Sequence, residues 1–238
     1  MENIKTETKV IIGILALTAL IIFGGITLFK TQGGATEPGD YSKYISTGLD
    51  LDKSKISRPE NPKITGVSVA TSTATSTKIN ITEFMDYECP ACATNGEDIN
   101  DKLLSIYGDN IIITRKIFPV HGQTSIDVGR IVLASQIFGP EIYEKVHKKI
   151  LETQSGWAIL GKKDREDFIK KTIMDLGIDY DKLYTESTNE KYPAQIAQDK
   201  QDALDLGITA TPSFVIENHT KITGGLPVEE IVKYIDNK

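Results

Sequence analysis

Two cysteines stand in this 238-residue chain, Cys89 and Cys92, and Pro90-Ala91 separates them. One helical turn brings positions i and i+3 to the same face, where their sulfurs can close a small disulfide loop. The flanks supply that helix and a strand ahead of it. Lys78 to Phe84 (KINITEF) is β-rich, Pro90 suits a first helical turn, and Ile99, Leu103, Leu104 and Ile106 form an apolar stripe ended by Gly108, so a helix is predicted from Pro90 to Tyr107. A cysteine at a helix N-terminus faces unpaired backbone N–H groups and the positive dipole end, which favour its thiolate. A stabilised thiolate is both nucleophile and good leaving group, the two properties that disulfide exchange asks of one atom.

Other uses of the pair fit less well. Zinc needs about four ligands, yet His121, His147 and His219 are the remaining soft ligands and none is closely paired, so no metal site is expected. Covalent haem needs a histidine directly after the second cysteine, where Ala93 stands. A structural disulfide closing two intervening residues stabilises little through loop entropy.

Val10 to Phe29 carries twenty residues without a charge, enough at helical rise to cross the roughly 30 Å bilayer core. It is read as a transmembrane anchor, with residues 1–9 as a cytoplasmic tail. A signal peptide cleaved near Gly33-Gly34-Ala35 is the competing reading, and no cysteine follows the run to carry a lipid. Lys5 and Lys9 before it and Lys30 and Lys43 after it leave the positive-inside count nearly tied. Residues 30–76 are rich in Gly, Ser, Thr and Pro and read as a tether, within which Ile64 to Ala70 alternates well enough to add an edge strand.

The folded part is expected over residues 77–238. After the helix come a strand from Ile111 to Phe118 and a helical stretch over about residues 120–190, with helices at Thr124 to Phe138, Pro140 to Leu151, Lys163 to Leu176 and Tyr180 to Thr185. A helix from Pro193 to Leu206, strands at Ser213 to Ile216 and Lys221 to Thr223, and a last helix from Pro227 to Ile235 complete it. The composition, 39% hydrophobic and 25% charged, is that of a chain with a core, and the net charge of -6 argues against nucleic acid as a partner.

Glu83 to Cys92 (EFMDYECPAC) together with Gly207 to Phe214 (GITATPSF) resembles the DsbA-like thiol-disulfide oxidoreductases of the thioredoxin superfamily, and the likeness runs over about residues 75–238. It implies an α/β thioredoxin-like fold with an α-helical insertion. It also implies an exposed attacking Cys89, a buried resolving Cys92, and a cis Thr211-Pro212 peptide beside them, with Pro90, Ala91, Thr211 and Pro212 at the substrate groove. A trans proline opening a strand is the plainer reading of Pro212. Glu83 matches in position an acid that the family keeps beneath the cysteines to assist proton movement at Cys92. A glutamate with its head in water is the plainer reading there. Ile117, Phe118, Ile208 and Phe214 are expected in the core.

The resemblance implies exported protein thiols as substrates, no cofactor beyond the cysteine pair, and a membrane partner that reoxidises it. The domain is then expected outside the cytoplasmic membrane, or secreted if the leader is cleaved. Two departures bear on strength: Pro90-Ala91 offers no side-chain donor to the thiolate, and Asp86 and Glu88 add opposing charge. Ala210 stands where the family often has glycine. A reductase or isomerase using the same residues, and a non-catalytic peptide-binding module of the same fold, are the alternatives.

Overall fold

The structure, a computed structural model, describes residues 45–46, 78–217 and 220–236. The apolar run Val10 to Phe29, most of the tether including Ile64 to Ala70, and His219 lie outside the described residues. Among the described residues no helix is long and apolar enough to cross a membrane.

Five strands form one mixed sheet. β1 (Ile45–Ser46), β2 (Ile79–Met85), β3 (Ile111–Ile117), β4 (Ser213–Ile216) and β5 (Thr220–Thr223) lie in the order β1-β5-β4-β2-β3. β2 runs parallel to β3 and antiparallel to β4, which places Glu83 opposite Arg115 on one side and Phe214 on the other. The strand at Ile45–Ser46 pairs with β5, so residues 30–76 are not a free spacer throughout.

The helix predicted from Pro90 to Tyr107 is continuous but not regular. After Pro90 and Ala91, Cys92–Gly96 form a π turn, and the α-helix proper is Glu97–Tyr107; together they are α1. Glu97 N–H reaches back to Cys92 O, the i to i+5 bond of a π turn. The buried face of α1 comprises Cys92, Gly96, Ile99, Asn100 and Leu103, while Ile106, expected in the stripe, is exposed.

Helices α2 (Gln123–Ala134), α3 (Pro140–Glu152), α4 (Gln154–Trp157), α5 (Lys162–Asp175) and α6 (Tyr180–Ser187) make the insertion, followed by α7 (Lys191–Asp205) and, after the last strand, α8 (Val228–Asp236). α4 was not expected, since four residues are too few to show a helical period. Three apolar clusters result. Ile81, Phe214 and Ile222 pack with Leu103 of α1 and Ile231 of α8, whereas Phe84 and Val215 pack with Phe118, Ile208 and Ala203 of α7. The third lies in the insertion around Tyr143, Trp157 and Val132, and it reaches the sheet through Met85, Tyr87, Cys89 and Cys92. Both cysteines therefore lie where the insertion meets the thioredoxin-like core. Ile117, Phe118, Ile208 and Phe214 are all buried, as expected.

One buried charge pins α7 to the sheet. Lys116 of β3 places its Nζ 2.6 Å from Asp202 Oδ2 and 3.1 Å from Asp199 Oδ1, and Asp199 Oδ2 accepts Ile117 N–H at 3.0 Å. Removing one member of such a set leaves uncompensated charge in a dry place, at a cost of about 3–5 kcal/mol. Lys116→Met is expected to lower the urea midpoint accordingly, followed by the fluorescence of Trp157, the single tryptophan. Lys102→Met, which removes an exposed pair with Asp98, should leave the midpoint in place.

Candidate active site

Cys89 and Cys92 are unbonded, 3.6 Å apart, and both buried, with 6% and 1% of each residue exposed. Cys89 is thus not the open thiol that the resemblance implied. The asymmetry between them lies in their hydrogen bonds. Cys89 Sγ, as a thiol, donates to Thr211 O at 3.3 Å. Ionised, it is favoured first by the Cys92 thiol and then, against the cost of burial, by Thr211 and the backbone N–H groups of Cys92 and Ala91, and its pKa falls to about 5. The Thr211 hydroxyl is buried and pairs with no other group, so it is available to the thiolate. Burial first, and then the proximity of Cys89 and Glu83, push the Cys92 thiol far up. One sulfur is held ionised and its neighbour protonated.

Beneath the π turn lies a buried polar cluster. Glu83 is 1% exposed, and Oε1 sits so close under α1 that a Cβ on Gly96 would lie 2.9 Å from it. Asn100 Nδ2 donates to Glu83 Oε2 at 2.8 Å, and Arg115 Nε is 3.7 Å from the same oxygen. Burial outweighs these partners and raises the carboxyl to about 7. Arg115 also bonds Glu144 Oε1 at 2.7 Å and lies 3.7 Å from Glu97 Oε1. Glu97 Oε1 accepts from His147 Nε2 at 2.9 Å, which leaves His147 Nδ1 to accept from Tyr87 OH at 2.9 Å.

The Thr211-Pro212 peptide is cis, and the turn that carries it is fixed by Gly224 N–H donating to Pro212 O at 2.8 Å and by Ser213 Oγ donating to Ala210 O at 2.7 Å. Pro90 is exposed and Ala91 half-buried beside Cys89. The structure therefore gathers Cys89, Cys92, Pro90, Ala91, Glu83, Thr211 and Pro212, separated by more than a hundred residues in the chain, into one place. A family model described as thioredoxin matches residues 72–237.

The chain belongs to the thioredoxin family.

Solved structures agree on the fold. A thioredoxin-like oxidoreductase from Silicibacter pomeroyi DSS-3 is 23% identical with a TM-score of 0.60, over 74% of this chain and 92% of that one. BdbD from Bacillus subtilis is 20% identical with a TM-score of 0.60, over 73% and 97%. The thiol-disulfide exchange protein alpha-DsbA2 from Wolbachia pipientis is 23% identical with a TM-score of 0.56, over 70% and 84%. No curated protein matches the chain by sequence. Among the described residues no cluster of metal-ligating side chains is present.

Two features of this thioredoxin site were not read from the sequence. Gln154 of α4 donates through Nε2 to Tyr87 O at 2.7 Å and to Cys89 O at 2.9 Å, fixing the turn before α1 from the insertion side. Asp86, expected to oppose the thiolate, has its carboxylate taken up. Oδ1 accepts Glu88 N–H at 2.8 Å, and Oδ2 accepts the backbone N–H and ring Nδ1–H of His121 at 3.0 and 2.9 Å. Glu88 in turn accepts from Ser125 Oγ at 3.0 Å.

The thiol assignments have a pH signature. Alkylation of the reduced protein should rise with a midpoint near pH 5 at Cys89, with Cys92 unmodified through neutrality, as read by mass spectrometry of the two positions. A depressed folded-state pKa gives stability that is full above the unfolded thiol value, near 8.5, and is lost as pH falls through the folded value. The melting temperature of the reduced form relative to the disulfide form should therefore fall as pH is taken from about 9 to about 5.

Proposed function

We propose that the protein donates disulfides to the thiols of exported proteins, outside a membrane to which Val10–Phe29 anchors it, and that a membrane partner reoxidises it. The observation that supports the direction is the set of donors at Cys89, the buried Cys92 thiol, the otherwise unpaired Thr211 hydroxyl and the helix-start N–H groups, which brings the Cys89 thiol down to about 5. Stabilising the thiolate stabilises the reduced protein, and a dithiol whose reduced form is stabilised pulls electrons from its substrates.

The reaction begins from the Cys89–Cys92 disulfide. A substrate thiolate attacks Cys89 Sγ, the substrate–Cys89 bond forms, and the bond to Cys92 breaks. Cys92 leaves as a thiolate that its buried position disfavours, so it takes a proton. Glu83, half-protonated near neutrality at about 7, stands under the same turn to supply it. A second substrate thiolate then attacks the substrate sulfur and expels Cys89, whose negative charge is met by backbone N–H groups and Thr211. Two substrate thiols become one disulfide, and two electrons remain on the cysteine pair. An extended substrate backbone lies along Thr211-Pro212, next to Pro90 and Ala91. The chemistry uses no metal or organic cofactor.

The two cysteines are expected to differ as variants. Cys92→Ser keeps the attacking thiolate without its resolving partner, so substrates accumulate as mixed disulfides on Cys89 that reductant releases on non-reducing gels. Cys89→Ser should trap nothing and exchange nothing. Reversal of that pattern, or exchange by Cys89→Ser at the wild-type rate, sinks the reading.

Topology has its own test. Protease added to intact spheroplasts should digest the domain, whereas protection until lysis would place it on the cytoplasmic side and remove the oxidising compartment that the function needs.

A further inference from the structure

We infer that His121, held by Asp86, is the counter-charge of the Cys89 thiolate and sets how strongly this chain oxidises its substrates. The inference rests on the oxidoreductase reading and adds a positioning residue to it.

Asp86 links the three groups. It is fully buried, its carbonyl accepts Cys89 N–H at 3.1 Å, and its own N–H points to Cys92 Sγ at 3.5 Å. Its carboxylate grips His121 twice, through the backbone N–H and through Nδ1. His121 follows β3 on a turn held to the active-site strand by Phe118 N–H donating to Met85 O at 2.8 Å. Its side chain is 43% exposed, against a fully buried Asp86 side chain. A carboxylate can only accept, so Nδ1 carries a proton in both ring states and Nε2 is the atom that titrates. Burial lowers the ring's affinity for that second proton, but the Asp86 hydrogen bond and charge, then the Cys89 and Glu88 charges, raise it above the ordinary histidine value.

Linkage is reciprocal: if the Cys89 thiolate stabilises the imidazolium, the imidazolium stabilises the thiolate by the same factor. Forming the disulfide removes the Cys89 charge and leaves the ring only Asp86 and Glu88 to favour its second proton. Protonated His121 therefore favours the reduced protein and strengthens the oxidant, an effect that fades as pH rises through the ring's pKa. It replaces the side-chain donor that Pro90-Ala91 does not offer.

The test is the equilibrium of the full chain with glutathione at pH 6 and pH 8.5. The reduced protein gives two electrons from Cys89 and Cys92 to glutathione disulfide, the Cys89–Cys92 bond forms, and two glutathione thiols leave with the Cys92 proton and one from solvent. At pH 6, His121→Gln should weaken the protein as an oxidant of glutathione about three-fold or more, and the gap from wild type should narrow at pH 8.5. His121→Lys restores a charge that persists at both values, so it should match wild type at pH 6 and be a stronger oxidant than wild type at pH 8.5. The wild-type chain also carries an internal readout. By NMR, the His121 ring should titrate at a pH about half a unit or more higher in the dithiol form than in the disulfide form. A general structural role would lower thermal stability without moving these pH profiles. Equal constants for wild type and His121→Gln, or identical ring titrations in the two redox forms, overturn the inference while the exchange activity stands. A wild-type chain that exchanges nothing with glutathione overturns the oxidoreductase reading instead, and the ring titration, with the disulfide formed chemically, still decides the role of His121.

Discussion

Cys89 must carry a negative charge where little water reaches it, and the surrounding backbone is arranged around that demand. A sulfur anion in such a place is unfavourable unless donors already point at it. The start of α1 supplies them, because the first N–H groups of a helix have no partner within the helix. The strand-to-helix order is therefore part of the chemistry: β2 delivers the chain to the end of its pairing with β3 and β4, the turn at Asp86–Glu88 reverses it, and the helix opens with its free donors at the sulfur. Cys92, one turn further in, shares the neighbourhood without those donors and stays protonated.

A second electrostatic problem lies one layer down. Glu83, Glu97 and Glu144 surround the single guanidinium of Arg115, and one cation cannot balance three buried or half-buried anions. The cluster resolves this by driving two of the carboxyls apart. Against the cost of burial, His147 and Arg115 hold Glu97 down to about 2, while Glu83, deeper and with fewer partners, rises to about 7. Such divergence separates a fixed ion from a proton carrier. In the proposed reaction Glu83 is the carrier, and Gly96 lets it approach the π turn, since a side chain there would occupy the space of the carboxyl.

The secondary structure was largely legible because its signals are local. Periodicity and the Gly and Pro stops place nearly every helix and strand within a few residues, and β4 at its exact bounds. What escaped depends on tertiary packing. The π turn at Cys92–Gly96 adds a residue to one helical turn to make room for Glu83, which no period of apolar residues records. Asp86 looked like an unfavourable charge because its partner His121 lies 35 residues away on another loop. His121 and His147 were weighed as zinc ligands and set aside; both stand next to the site in other roles. The cysteines were legible from their own spacing at a strand-helix junction, and Glu83 and Thr211-Pro212 through the family resemblance, since spacing alone could not bring residue 211 to residue 89.

The helical insertion is more than a lid over this site. In the turn between β2 and α1, Cys89 O accepts Cys92 and Ala93 N–H at 3.0 and 3.3 Å as the helix opens, and buried carbonyls need donors. Gln154, from the short helix α4, donates with one nitrogen to Tyr87 O and again to Cys89 O. Tyr87 is held again at its hydroxyl by His147 of α3, which in turn holds Glu97 of α1. The turn that aims Cys89 is thus fixed from the insertion at its carbonyls and its one aromatic side chain, and from the sheet side through Asp86. A shift of α3 or α4 would move the attacking sulfur relative to Thr211, because the same few hydrogen bonds set both the closure of the insertion and the direction of the thiol.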